Sequence, residues 1–349
     1  MKRKSTKAVM VGPVQVGGDA PIRVQSMTNT DARDVQATVA QIKVLAEQGC
    51  EIVRVAVPDS GAARVLPEII KASELPLIAD IHFDHRLAMQ AIAAGIDGLR
   101  INPGNIGGTA KVREVVAAAR ERDIPFRIGV NAGSLEKQYL ERDGGVTAGG
   151  MVESALQHVK ILEDLNYNNL KISLKASNLP IMLEAYRTIS GLVDYPLHIG
   201  VTEAGTPGYG TVKSAVGIGI LLEEGIGDTI RVSLTGDPVH EVKAAYDILK
   251  ALGLRRRGVE LISCPTCGRT QVDLIKIARE VEEKLQNLDK PLTVAVMGCT
   301  VNGPGEAREA DIGIACGKGE GLIFRKGLVV RKAPEDELLE EFLHELNEL

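Results

Sequence analysis

Leu77-Ile78-Ala79-Asp80-Ile81-His82 is a short apolar run that closes on polar groups, and after a helical stretch over Leu87–Ala94 a second such run follows, Gly98-Leu99-Arg100-Ile101-Asn102. Strand, helix and strand in so short a span make a βαβ unit, whose two strands must run parallel. Outward from this unit the same pattern repeats in both directions. The predicted strands are Ile22–Ser26, Ile52–Val57, Leu77–Ile81, Gly98–Ile101, Phe126–Val130, Leu170–Leu174, Leu197–Val201 and Thr229–Ser233, with helical periodicity between them, as at Val35–Gln48, Ala110–Arg122, Met151–Leu165 and Pro238–Leu252. Eight such rounds give an α/β fold and fit a (β/α)8 TIM barrel better than an open sheet. No GxGxxG turn follows the first strand, which counts against a dinucleotide-binding sheet.

Gly253-Leu254-Arg255-Arg256-Arg257-Gly258 reads as a linker, the three Arg as a solvated hinge rather than a nucleic-acid patch. The expected domains are therefore 1–253, the barrel, and 259–349, a smaller α/β domain. The latter offers a strand entering a CxxC turn, a helix over Val272–Leu285, strands at Thr293–Val296 and Ile312–Ala315, a hairpin around Gly327 and a closing helix from Pro334.

The chain has 349 residues, enough for a large core, and 44% are apolar with only 3% aromatic, so that core is aliphatic. A net charge of −5 argues against nucleic acid or an anionic membrane as partner, and no apolar run reaches spanning length. The run Ala8–Val11 is cut by Gly12 and Pro13, too early for a signal-peptide core. An odd set of five Cys, mostly in one region, points to a reducing cytoplasm rather than a disulfide framework, and Cys50 reads as a packed small residue.

Three thiols stand in Cys264-Pro265-Thr266-Cys267-Gly268 and Met297-Gly298-Cys299. A CxxC turn offers two sulfurs to one ion, and a third Cys after a helix and a strand can close the site. The residues alone leave structural zinc and iron–sulfur both open. At the barrel mouth, side chains two apart on a strand share a face, so Arg54, Arg100, Arg127, Lys175 and Arg231 aim at one concavity. Asp80 and Glu203 are there to neutralise two of them, and an anion would answer the rest; a diphosphate fits, with guanidinium forks on its oxygens and the Gly107-Gly108 turn adding backbone N–H groups. His82, beside Asp80 at a strand end, is a candidate donor to phosphate or hydroxyl.

Together with Arg100-Ile101-Asn102-Pro103-Gly104-Asn105, Gly129-Val130-Asn131-Ala132-Gly133-Ser134 and Thr300-Val301-Asn302-Gly303-Pro304-Gly305-Glu306, these motifs resemble those of the bacterial 4-hydroxy-3-methylbut-2-enyl diphosphate synthases through nearly the whole chain. The resemblance implies a barrel like those of pterin synthases joined to a domain like the iron–sulfur halves of sulfite reductases. It implies a head-to-tail homodimer whose active site forms between one subunit's barrel and its partner's cluster, and flavodoxin or ferredoxin as electron donor. The implied reaction is the reductive ring opening and dehydration of 2-C-methyl-D-erythritol 2,4-cyclodiphosphate in the methylerythritol phosphate route to isoprenoids.

It further implies that Cys264, Cys267, Cys299 and Glu306 hold a four-iron four-sulfur cluster. Counting thiols alone would choose Cys316 as the fourth ligand; a carboxylate at Glu306 is harder and more exchangeable, and would leave its iron free to take a substrate oxygen. Arg54, Asp80, His82, Arg100, Asn102, Arg127, Asn131, Lys175, Arg231 and Ser233 would hold the substrate. Glu203 is the candidate proton donor, its competing role being to balance Arg231, and Asn302 would hydrogen-bond substrate or cluster sulfur. The competing readings are a zinc-stapled TIM-barrel transferase for a phosphorylated or pterin substrate, which would be colourless, and a metal-dependent RNA-binding module, which the acidic charge and scarce aromatics disfavour.

Overall fold

The computed structural model describes residues 3–268, 270, 272–285, 288, 290–299 and 307–349. They form two compact units that divide between Arg255 and Arg256. The first opens with a hairpin, β1 (Val9–Val11) and β2 (Val14–Val16), turning on Gly12 at φ +54° and Pro13. Then come β3 (Arg23–Met27), α1 (Val35–Glu47), β4 (Ile52–Ala56), α2 (Ser60–Ala72), β5 (Leu77–Asp80), α3 (His85–Ala94), β6 (Gly98–Arg100), α4 (Thr109–Glu121), β7 (Phe126–Asn131), α5 (Lys137–Asp143) and α6 (Ala148–Glu163). The unit continues with β8 (Leu170–Lys175), α7 (Leu179–Leu192), β9 (His198–Ile199), α8 (Tyr209–Glu223), β10 (Thr229–Ile230) and α9 (Pro238–Ala251).

Strands β3 to β8 pair in order and in parallel, β10 pairs both β3 and β9, and a single bridge from Ile172 to Leu197 closes β8 on β9. This is the eight-stranded barrel that the pattern predicts. The last two strands are shorter than expected, because the chain leaves the ladder after Ile199 and Ile230 to shape the mouth. Outward strand positions such as Val53, Val55, Leu99, Ile128, Ile172 and Leu174 pack against helix residues such as Leu66, Ile69, Val115 and Ile189, so the main core lies between barrel and helices. Several loops at the mouth end in a side-chain N-cap, as Asp34 to Ala37, Asp59 to Ala62 and Asn178 to Ile181.

The hairpin was not foreseen. Its Val11 and Val16 pack on Ile52 and Ile78, at the N-terminal starts of β4 and β5, and so plug the floor of the barrel. Nor is Arg255 a solvated hinge: its Nη1 donates to Glu51 Oε2 at 2.6 Å and to the Ile22 carbonyl at 2.8 Å. Two acceptors on the barrel outweigh hydration for this guanidinium.

The second unit carries β11 (Glu260–Ser263), α10 (Leu274–Leu285), β12 (Thr293–Met297), β13 (Ile312–Cys316), β14 (Glu320–Arg325), β15 (Leu328–Pro334) and α11 (Leu338–Asn347). The sheet order is β11-β12-β13-β14-β15, parallel for the first three strands and antiparallel after them. Residues of α10 and α11 pack on one face through Val281, Leu285, Phe342 and Leu346. No helix among the described residues is long and apolar enough to cross a membrane.

Candidate active site

The side-chain period of the strands decides what fills the barrel. Arg54 on β4, Asp80 on β5, Arg100 on β6, Arg127 on β7, Lys171 and Lys175 on β8, and Arg231 just past β10 are on the face opposite the apolar core. Asp80 sits between cations, with Oδ2 3.6 Å from Arg54 Nε and Oδ1 3.5 Å from Arg100 Nη1 and 3.7 Å from His82 Nε2. Arg100 Nη1 also meets His82 Nδ1 at 2.9 Å, and its Nη2 donates to the Gly129 carbonyl at 2.9 Å. A Cβ at position 129 would stand 2.7 Å from Arg100 Nε, which is why glycine is there. The sulfur of Met27 accepts from Arg54 at 2.9 Å and, more weakly, from Arg231 at 3.8 Å.

Burial and mutual repulsion dominate the electrostatics. Burial lowers Arg54 to about 10 despite the help of Asp80, and pushes Arg127 and Lys175 well below their ordinary ranges, with neighbouring cations adding to both. Lys171, deep in the lumen, falls to about 7 through burial and the nearby Arg127. Burial would raise the Asp80 carboxyl, but Arg54, His82, Arg100 and Arg127 together hold it well below the carboxylate range. Buried donors without a partner include Arg100 Nε, Arg127 Nε and Nη1, Lys171 Nζ and Gln25 Nε2. Such groups are costly unless something accepts from them. A lumen rich in unmatched donors and positive charge is built for an anion.

Glu241, on the first turn of α9, is the second carboxylate of this cluster, and sequence reasoning missed it. It accepts two bonds from Arg231, at 3.2 Å each, one from Ser26 Oγ at 3.0 Å and one from the Leu234 amide at 3.0 Å. Glu203 therefore does not balance Arg231. It is exposed, beyond β9, and holds φ at +51°, a conformation that costs a non-glycine residue energy. Asn102 bonds the Gly129 backbone in both directions, at 3.1 and 2.9 Å, so its amide staples β6 to β7. Asn131 is the register partner of Lys175 at the rim, His82 is half-exposed, and Ser233 is half-buried beyond Arg231. Lys171, Gln25 and His198 were also missed as site residues; their signal, polar groups at inward positions of strands, was present.

In the second unit, Cys264 and Cys267 follow β11 and Cys299 follows its parallel neighbour β12, so both loops leave the same end of the sheet. The Gly298 amide donates to Cys264 Sγ at 3.1 Å, a bond suited to a thiolate. Among the described residues no three His, Cys, Asp or Glu side chains are gathered closely enough to hold an ion. Asn302 and Glu306 lie outside the described residues. Cys316 is buried in the core with α10 and α11, and burial pushes its thiol up to about 11. Cys50 is buried likewise, its thiol raised to about 12 by burial.

The GcpE TIM-barrel domain family matches residues 6–246, and the GcpE protein C-terminal domain family matches 260–348. The chain belongs to the GcpE family. GcpE relatives from Geobacter sulfurreducens, 62% identical over 100% of this chain and 99% of theirs, and from Clostridium perfringens, 60% identical over 98% of each, carry the name 4-hydroxy-3-methylbut-2-en-1-yl diphosphate synthase (flavodoxin). Among solved structures, a dihydropteroate synthase from Xanthomonas albilineans superposes on 70% of this chain and 97% of its own with a TM-score of 0.51. At 16% identity that likeness concerns the barrel fold of the GcpE chain alone.

Proposed function

We propose that this protein is an iron–sulfur oxidoreductase that converts 2-C-methyl-D-erythritol 2,4-cyclodiphosphate to 4-hydroxy-3-methylbut-2-enyl diphosphate, with reduced flavodoxin as the electron source. Membership of the family and near-full-length identity to synthases of that name support the reaction. The observation that carries it in the site is the buried cation cluster, where Arg54, Arg100, Arg127, Lys171, Lys175 and Arg231 are met by Asp80 and Glu241 alone among the described carboxylates. A cyclic diphosphate supplies the missing negative charge and the missing acceptors.

In this reading the guanidinium groups of Arg54, Arg100, Arg127 and Arg231 and the ammonium of Lys175 clamp the phosphate oxygens, with His82, Asn131 and Ser233 as rim donors. Asp80 keeps Arg54 and Arg100 apart and oriented, and Asn102 fixes the β6–β7 spacing beneath them. The helix α4 begins on Gly108 with no side-chain cap, which leaves its first N–H groups open to a phosphate. The clamp positions the ring and excludes water from its reacting carbons. Ring opening consumes two electrons and one proton and releases water; Glu203 gives that proton to the departing hydroxyl oxygen. Cys264, Cys267 and Cys299, with Glu306, would hold a four-iron four-sulfur cluster, the domain 259–349 being its carrier. When bound, such a cluster supplies electrons one at a time. The head-to-tail homodimer belongs to the same reading.

The test is anaerobic purification with iron, sulfide and zinc analysis, followed by turnover of the cyclic diphosphate with reduced flavodoxin. Brown protein with about four irons and four sulfides per chain, forming the linear allylic diphosphate, is the expected result. Colourless protein with stoichiometric zinc, inert after anaerobic reconstitution, would overturn it.

A further inference from the structure

His158, on α6 and 2% exposed, touches two loops of the mouth at once. Its Nδ1 accepts the Gly104 N–H at 3.1 Å, and its Nε2 meets Glu136 Oε1 at 3.1 Å. Glu136 Oε2 in turn accepts from Ser154 Oγ at 2.7 Å. Gly104 belongs to the turn that runs from Asn102 to the open start of α4 at Gly108. Glu136 ends the turn that runs from Asn131 through Ser134 into α5. One imidazole therefore ties together two consecutive loops of the barrel rim.

The chemistry fixes the ring's state. A backbone amide only donates, so Nδ1 is bare and the ring hydrogen is on Nε2, where it donates to Glu136. Burial would raise the Glu136 carboxyl, but the bonds from His158 and Ser154 hold it down at about 2, so it stays an acceptor. The fit is close: a Cβ at position 104 would stand 2.7 Å from His158 Cε1, so only glycine lets the turn reach the ring. The turn itself is otherwise exposed at Gly104, Gly107 and Gly108, and glycine-rich backbone has the most freedom to lose.

We propose that His158 is a positioning residue for phosphate binding, setting the spacing between the Gly104–Gly108 turn and the Asn131–Ser134 turn. The inference rests on reading the mouth as a diphosphate site. It assigns His158 no contact with substrate; it acts through the backbone that it holds.

The experiment compares His158→Leu, which keeps bulk and loses both hydrogen bonds, with His158→Gln, which offers one acceptor and one donor, in the full-length cluster-loaded protein. Calorimetric binding of the cyclic diphosphate is expected to weaken roughly 10- to 100-fold in His158→Leu, the scale of loss from a misplaced binding loop. Most of it should return in His158→Gln, with iron content unchanged. The loss should appear in KM more than in kcat, and Glu136→Ala added to His158→Leu should cost little more. Unchanged affinity in His158→Leu, or equal losses in both variants, would overturn the proposal.

Should His158→Leu fail to fold, Gly104→Ala takes its place, because its Cβ drives the turn off the ring; the same loss is expected, and unchanged affinity again refutes. Two measurements need no substrate. Nitrogen chemical shifts of the wild-type His158 ring should report a bare Nδ1, and amide exchange of the Gly104–Gly108 segment should speed up in His158→Leu or Gly104→Ala. If the wild type does not bind the cyclic diphosphate at all, the functional reading has failed; the positional claim then stands or falls on the exchange rates.

Discussion

Arg231 and Glu241 face each other in paired hydrogen bonds, Nε to Oε2 and Nη2 to Oε1, each 3.2 Å long, joining the end of β10 to the first turn of α9. The carboxylate is buried and also holds Ser26 and the Leu234 amide. Removing it strands a cation in a cluster already overcharged. Glu241→Ala should lower stability by about 3 kcal/mol, the low end for breaking a buried pair, read as a fall in the urea midpoint. Glu241→Gln, which keeps an acceptor oxygen, should lose less; equal losses would mean that the charge alone carries the effect and the hydrogen bonds add nothing.

Lys171 makes the ligand-free barrel pH-sensitive. Its amine titrates at about 7 in the fold, lowered by burial and then by Arg127, against about 10.4 in an unfolded chain. Below pH 7 both states carry the proton, and burying the charge costs about 5 kcal/mol by that shift. Between pH 7 and 10 the fold sheds its proton first, so the cost fades as pH rises. Lys171→Met should therefore be more stable than the parent at pH 6, with the advantage shrinking toward pH 10 in thermal melts. An advantage that does not vary with pH would rule out titration of Lys171 as its source.

Glu203 combines a proposed proton-transfer role with a left-handed backbone. Glu203→Gln should abolish turnover while substrate binding and iron content stay intact. Glu203→Gly should be equally inactive and about 1 kcal/mol more stable, because the strained φ is then free of cost. Loss of iron in either variant would remove Glu203 from the proton-donor role.

The choice between Glu306 and Cys316 as fourth ligand is open to iron analysis. Cys316 is packed beneath α10 and α11 with its thiol raised to about 11 by burial, which disfavours a thiolate. Cys316→Ala should keep its iron and its visible spectrum, whereas Cys264→Ser, Cys267→Ser, Cys299→Ser and Glu306→Ala should not keep an intact cluster. Iron lost from Cys316→Ala and retained in Glu306→Ala would reverse the assignment.

Much of the barrel was legible because alternation marks its strands so plainly. Arg54, Asp80, Arg100, Arg127, Lys175 and Arg231 could be put on one face by counting in twos. What could not be read was pairing across the fold. Glu241 looks like an ordinary acid in a helix's first turn, and nothing local says that it reaches Arg231 in preference to Glu203. Asn102 reads as a ligand donor until its amide is found on Gly129. His158 lies within a helical stretch of apolar periodicity, where a buried histidine has no sequence signal, since its partners Gly104 and Glu136 come from two other loops. The hairpin of Val9–Val16 is too short to have declared itself beside longer strands.

That hairpin has a kinetic consequence. With Val11 and Val16 seated on Ile52 and Ile78, the barrel is stoppered at its N-terminal end. Field lines from the buried cations then have one low-resistance exit, outward through the rim, where a low-dielectric wall focuses them. A chain of net charge −5 can thus draw a small dianion toward the buried cations while its net charge repels polyanions. Capture of substrate would accordingly be fast at low ionic strength and slow steeply as salt is added.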